Sequence, residues 1–202
     1  MTRIKMCGLR RPEDIEAVNE IRPEYIGFVF FPGSKRYVTP ETAQALREKL
    51  APGIKAVGVF VDEEPETVAC LLKEGIIDLA QLHGHEDEDY LAGLRKLTDK
   101  PLIQAFRIRS REDVLQAQQS SAEEILLDAG AGDGKTFDWS LLREVKRPYF
   151  LAGGLNPENA GPAVRELKPY AVDVSSGIET DGFKDIQKMR AFAQAVREDG
   201  KA

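Results

Sequence analysis

Eight times along 202 residues, a short apolar run gives way to an amphipathic, charge-rich segment. Few folds accommodate that alternation. The runs Arg3–Cys7, Tyr25–Phe30, Ala56–Val61, Leu79–His83, Leu102–Arg107, Glu124–Asp128, Tyr149–Ala152 and Ala171–Val174 read as strands. The segments Pro12–Glu20, Pro40–Leu50, Pro65–Lys73, Glu86–Leu97, Ser110–Gln118, Asp138–Glu144, Pro157–Leu167 and Lys184–Arg197 read as helices. Start signals mark several of them. Thr39-Pro40-Glu41 and Asn156-Pro157-Glu158 each set a capping residue before a proline at the first helical position. Ser110-Arg111-Glu112-Asp113 has the spacing of a capping box, with Asp in place of Glu. Strands separated by helices are parallel, because a crossover returns the chain to the same end of the sheet.

Two architectures satisfy that pattern, an open doubly wound sheet and a closed barrel. Eight units of roughly 25 residues each use up the whole chain. That favours closure into a single-domain (β/α)8 TIM barrel over residues 1–202, although about 250 residues is more usual. Such barrels carry their active sites at the C-terminal ends of the strands. The polar residues of this chain gather there. Cys7, His83 and Asp128 end the first, fourth and sixth strands, and Asp173 lies near the end of the eighth. Lys35 and Arg36 sit in the loop after the second.

Composition removes several classes of function. The net charge is −6, with no basic stripe, which argues against nucleic acid as a partner. A small anionic substrate remains compatible, because local charge can oppose net charge. Cys7 and Cys70 are the only cysteines, too few for a disulfide framework, and a reducing cytoplasm is expected. The opening MTRIKMCGL is too short and too charged for a signal peptide. No apolar run nears the ~20 residues of a membrane span. His83 and His85 are the only histidines, and no metal-binding spacing occurs, so no metal is expected.

On a first strand, Arg3, Lys5 and Cys7 share one face, and Ile4 and Met6 the other. A lysine and a thiol on an inner face call for a partner or a function. At a strand end before Gly8, Cys7 suits a general base or a nucleophile, provided nearby positive charge favours its thiolate. Cys70 reads as a core residue on an apolar helix face. Asp128 has two readings, a turn residue or a partly desolvated general acid. The loop Ala129–Thr136 is similar to a Walker A loop with Ala at the first glycine, but no helix pattern begins at its Gly-Lys-Thr. It reads as a flexible lid over a site, with nucleoside triphosphate binding as the lesser reading. No G-x-G-x-x-G follows a strand, so a dinucleotide is not implied. Ala152-Gly153-Gly154-Leu155-Asn156 and Val174-Ser175-Ser176-Gly177-Ile178-Glu179 follow the last two strands, where barrels often hold phosphate. Arg36 suits a planar carboxylate. His83, with Gln81 on the same strand face, reads as structural or catalytic, and His85 as solvated.

Together these residues resemble the phosphoribosylanthranilate isomerase family of tryptophan biosynthesis, over essentially the whole chain. The markers are Lys5-Met6-Cys7-Gly8, Gly33-Ser34-Lys35-Arg36, Gln81-Leu82-His83-Gly84, Leu127-Asp128, Ala152-Gly153-Gly154-Leu155 and Asp173–Glu179. Met6 departs from the commoner Ile or Val, on the face turned away from the site. The resemblance implies a cofactor-free Amadori rearrangement of a small phosphorylated substrate by a cytoplasmic monomer or homodimer. It implies Asp128 as general acid, Cys7 as general base and Arg36 at the anthranilate carboxylate. It sets Gly154, Ser175, Ser176 and Gly177 at the phosphate, and His83 and Asp173 on the substrate side. One rival is another phosphosugar enzyme on the same barrel, and a second is a non-catalytic or nucleotide-binding module built around Ala129–Thr136. A Schiff-base aldolase would need a lysine at the mouth, and Lys5 lies two residues deeper than Cys7.

Overall fold

A computed structural model describes residues 1–129 and 139–199. Its strands are β1 (Arg3–Cys7), β2 (Tyr25–Val29), β3 (Lys55–Phe60), β4 (Leu79–Leu82), β5 (Leu102–Arg107), β6 (Glu124–Asp128), β7 (Tyr149–Ala152) and β8 (Ala171–Val174). All are parallel, paired in chain order, and β8 closes on β1. The helices are α1 (Pro12–Ile21), α2 (Pro40–Arg47), α3 (Pro65–Lys73), α4 (Glu88–Arg95), α5 (Arg111–Gln119), α6 (Ala160–Leu167) and α7 (Ile186–Asp199).

The two faces of the strands build two cores. Outward residues such as Ile4, Met6, Ile26, Phe28, Phe60 and Leu82 pack against the helices. Inward residues Tyr25, Val57, Leu79, Ile103, Leu126 and Phe150 fill the lower barrel. Burial on both faces explains why strands such as Tyr25–Val29 read as unbroken apolar runs. Above that filling, the inward positions turn polar, and the site begins.

The capping signals resolve individually. Thr39 accepts a hydrogen bond from the Thr42 amide, and Ser110 and Asp113 form the reciprocal box that was expected. Asn156 does not cap a helix. Its Oδ1 accepts from the amides of Glu158 and Asn159, closing a turn, and α6 begins only at Ala160. The sixth helical segment is a 3₁₀ helix, Trp139–Glu144. Cys70 is exposed rather than buried, with its thiol 3.3 Å from Glu74 Oε1, because α3 turns Val68, Leu71 and Leu72 to the core instead. Lys184 does not open the last helix. It belongs to a two-stranded hairpin, β9 (Glu179–Thr180) and β10 (Phe183–Lys184), and α7 starts at Ile186. Of the glycine loop read as a lid, residues 130–138 lie outside the described residues.

Candidate active site

A cavity of about 430 Å³ opens at the C-terminal mouth of the barrel. Its lining includes Cys7, Arg36, Gln81, His83, Asp128 and Asp173, with Gly153–Leu155 and Val174–Ser176 at one rim. The volume suits a drug-sized ligand. Among the described residues, no group of three or more His, Cys, Asp or Glu side chains converges as a metal site would require.

Cys7 ends β1 with its side chain turned inward, packed beside Val29 and Val59. Burial pushes its thiol above the ordinary value, while Lys5 and Lys184 pull the other way. Lys5 is fully buried beneath it and does not line the cavity. Its ammonium lies 3.0 Å from both oxygens of Asp173, the residue opposite it on β8. Burial would strip that ammonium of its proton, but Asp173 and Cys7 more than offset the cost, and its pKa ends raised. Asp173 therefore reaches the cavity with both carboxylate oxygens already on Lys5.

Asp128 ends β6 on the inner face, with Oδ2 3.6 Å from His83 Nε2. The other ring nitrogen of His83 lies 2.8 Å from Gln81 Nε2. His85 stands outside the site, its ring exposed and its Nδ1 3.0 Å from Asp62.

Arg36 lines the cavity from the loop after β2, and its guanidinium is not alone. Its Nε and Nη2 donate to the two oxygens of Glu179 at 2.7 and 2.8 Å. Glu179 is also held by Lys184 Nζ at 2.8 Å. Lys184 in turn donates to the Ser175 carbonyl at 2.9 Å. Burial raises the Glu179 pKa, but Arg36 and Lys184 outweigh it and bring the carboxylate down to about 2. The edge of Arg36 formed by Nη1 and Nη2 is the one left for a second carboxylate.

The loops after β7 and β8 meet at the cavity mouth. A side chain at Gly177 would strike the Leu155 carbonyl, so that glycine lets the two loops close-pack. Gly154, at φ 64°, has no atom of the described residues beyond its chain neighbours within 4 Å of where a Cβ would stand. The Ser175 hydroxyl donates to the Cys7 carbonyl at 3.1 Å, tying the β8 loop to the end of β1.

All nine site residues expected from sequence thus cluster at one end of one barrel. Lys184 and Glu179 were the functional neighbours that sequence reading left without a role. The signal for them was Asp181-Gly182, a hairpin dipeptide that sets Glu179 opposite Lys184.

The family model for N-(5'-phosphoribosyl)anthranilate isomerase matches residues 4–195. The chain belongs to that family. The N-(5'-phosphoribosyl)anthranilate isomerase of Acetivibrio thermocellus is 46% identical, covering 98% of this chain and 97% of that protein. The crystal structure of phosphoribosyl anthranilate isomerase from Thermotoga maritima has a TM-score of 0.90 and 37% identity, covering 98% of this chain and 100% of that one. A phosphoribosyl anthranilate isomerase in complex with reduced 1-(o-carboxyphenylamino)-1-deoxyribulose 5-phosphate has a TM-score of 0.88 at 37% identity and the same coverage. Family membership makes this barrel an isomerase of tryptophan biosynthesis, not an aldolase. The burial of Lys5 away from the cavity accords with that.

Proposed function

We propose that the chain converts N-(5-phosphoribosyl)anthranilate to 1-(2-carboxyphenylamino)-1-deoxy-D-ribulose 5-phosphate, with Asp128 as general acid and Cys7 as general base. The observation that carries this reading is the single cavity shared by those two groups, which Arg36 and the Gly154 and Ser175–Ser176 loops also line. The substrate has an anion at each end and the reacting carbons between them. Arg36 would take the anthranilate carboxylate on its Nη1 and Nη2 edge. Backbone amides of the two glycine-serine loops, Gly177 included, would take the phosphate.

Asp128 then donates its proton to the ring oxygen of the ribose. The C1–O bond breaks and the nitrogen lone pair forms an iminium. The Cys7 thiolate removes the proton on C2, and that electron pair flows toward the iminium to give an enolamine. Reprotonation at C1 and loss of the enol proton leave the ketone. The iminium is the electron sink, so the chemistry calls for no cofactor. A thiol pushed upward by burial is a stronger base once ionised, and Lys5 and Lys184 keep the ionised form within reach. The partner is then a small phosphorylated molecule. No helix among the described residues is long and apolar enough to cross a membrane. The biosynthetic role supports a cytoplasmic setting.

The test is loss of phosphoribosylanthranilate fluorescence on adding purified protein, with EDTA present. Cys7→Ser and Asp128→Asn should each lower kcat by about 100-fold or more, the order of general acid-base effects, with unchanged unfolding temperatures. Near-normal turnover in either variant removes that residue from the chemistry.

A further inference from the structure

Gln81 is a polar residue of the cavity lining that the reaction above leaves unused. It lies on the inner face of β4, is 1% exposed, and borders the cavity floor. Its neighbours in register are Val59 on β3 and Ile103 on β5, neither of which offers a polar side chain. Its amide nitrogen lies 2.8 Å from His83 Nδ1. Its Oε1 is buried without a hydrogen-bond partner among the described residues. An amide in an apolar layer with an orphaned oxygen is costly. The contact it does make is therefore the place to look for its purpose.

That contact constrains the imidazole. If the amide N–H donates, His83 Nδ1 must accept, and the proton of the neutral ring sits on Nε2. With the amide reversed, its NH₂ would replace the oxygen as the buried group lacking a partner. Orphaned buried N–H groups are rarer than under-satisfied carbonyls, which favours the donating orientation. His83 Nε2 in turn lies 3.6 Å from Asp128 Oδ2. That gap is longer than a hydrogen bond, and catalytic contacts commonly tighten when substrate binds.

We propose that Gln81 is a positioning residue that holds His83 as its Nε2–H tautomer and aims that proton at Asp128 Oδ2. The inference rests on Asp128 as the acid. A donor on Oδ2 stabilises the carboxylate that forms as Asp128 gives up its proton. No bond is made or broken by Gln81 itself.

The chain has two histidines, so the tautomer can be read directly. Imidazole ¹⁵N–¹H correlation spectra on His85→Asn protein isolate the His83 signals. The expected spectrum of the neutral ring shows a protonated Nε2 and an unprotonated Nδ1. Gln81→Glu replaces the donor with an acceptor of the same shape and should move the proton to Nδ1. It should also lower kcat about tenfold with KM changed less than twofold, the pattern of a transition-state contact. Gln81→Leu should give mixed tautomers and a similar loss of kcat. An Nδ1–H tautomer in the protein with Gln81 intact overturns the proposal, and that spectrum needs no substitution at Gln81. So does a Gln81→Glu spectrum or kcat equal to that of the parent. The tautomer is read without turnover, so its failure is distinct from failure of the acid assignment, which Asp128→Asn tests.

Discussion

As the proposed base, Cys7 has to be a thiolate to take a carbon-bound proton, yet its surroundings oppose the charge. Burial raises its pKa above the ordinary 9.0, Lys5 lowers it, Asp173 raises it again, and Lys184 lowers it. Lys5 is partly spent on Asp173, whose two oxygens it holds. Lys184 is shared with Glu179 and the Ser175 carbonyl. The sign gives a direct expectation. In the absence of substrate, on a Cys70→Ser background, iodoacetamide should alkylate Cys7 at a rate still rising as pH passes 9. Lys184→Met should slow that reaction at every pH below the plateau, because a helpful cation is gone. A plateau reached well below pH 9, or no slowing in Lys184→Met, would show that the thiolate is set by something else. The strand-end place of the thiol before Gly8 was legible from the sequence, although a core cysteine is the plain reading of that residue taken alone. Its electrostatic partner was not. Lys184 approaches Cys7 only through the fold, across 177 positions of sequence, and no local pattern announces such a pairing.

At the scale of elements, the hairpin of β9 and β10 is what fixes the orientation of Arg36. Asp181 and Gly182 have φ of 50° and 79°, the two positive values that a type I′ turn demands. The turn sets Glu179 directly opposite Lys184, and Glu179 then grips the guanidinium of Arg36 with two oxygens. A branched residue at Gly182 cannot adopt that φ without strain of about 1–2 kcal/mol. Gly182→Val should therefore raise KM for substrate more than it lowers kcat, as Arg36 loses its anchor. Glu179→Gln should do the same, with a signature in acid. The Glu179 carboxylate falls from an ordinary 4.5 to about 2 when folded. A depressed carboxylate stabilises the fold above its unfolded pKa, and that stability fades as pH drops through the folded value. The gap in urea midpoint between Glu179→Gln and the parent should be widest above pH 4.5 and should close toward pH 2. A gap constant with pH would mean that the carboxylate contributes only shape. The neighbouring elements show how such details escape pattern reading. Asn156-Pro157 has the form of a helix start, but the chain makes a turn there to bring the β7 loop against Gly177. Lys184 extends an amphipathic pattern that runs on into α7, which hid the hairpin before it. Strands and most helices were legible because burial on one or both faces imposes a period. Turns whose job is to aim a side chain follow no period.

For the whole molecule, the decisive event is closure, and the seam where β8 meets β1 carries an ion pair inside the barrel. Lys5 and Asp173 face each other in register, the lysine fully buried and the aspartate nearly so. Alternation and unit count made a barrel legible in the sequence, but not this pair. It exists only once the first and last strands are neighbours. Two buried charges gain little over a well-packed apolar pair, because desolvation consumes most of their attraction, while a single one left behind is severely costly. The two situations predict opposite outcomes at one site. Asp173→Ala should destabilise the barrel by about 3–5 kcal/mol, since it strands a buried ammonium. The double variant Lys5→Met with Asp173→Leu should recover most of that loss, as urea unfolding would show. Turnover should not recover with it, because Cys7 would then lose the nearest cation favouring its thiolate. A double variant as unstable as Asp173→Ala would mean that the seam needs the ions themselves. One that regained both stability and full activity would detach the ion pair from the chemistry above it. The expected split, stability regained and turnover lost, assigns the pair to the site rather than to the fold. It also explains why a barrel able to close on hydrophobic residues keeps a lysine at its centre.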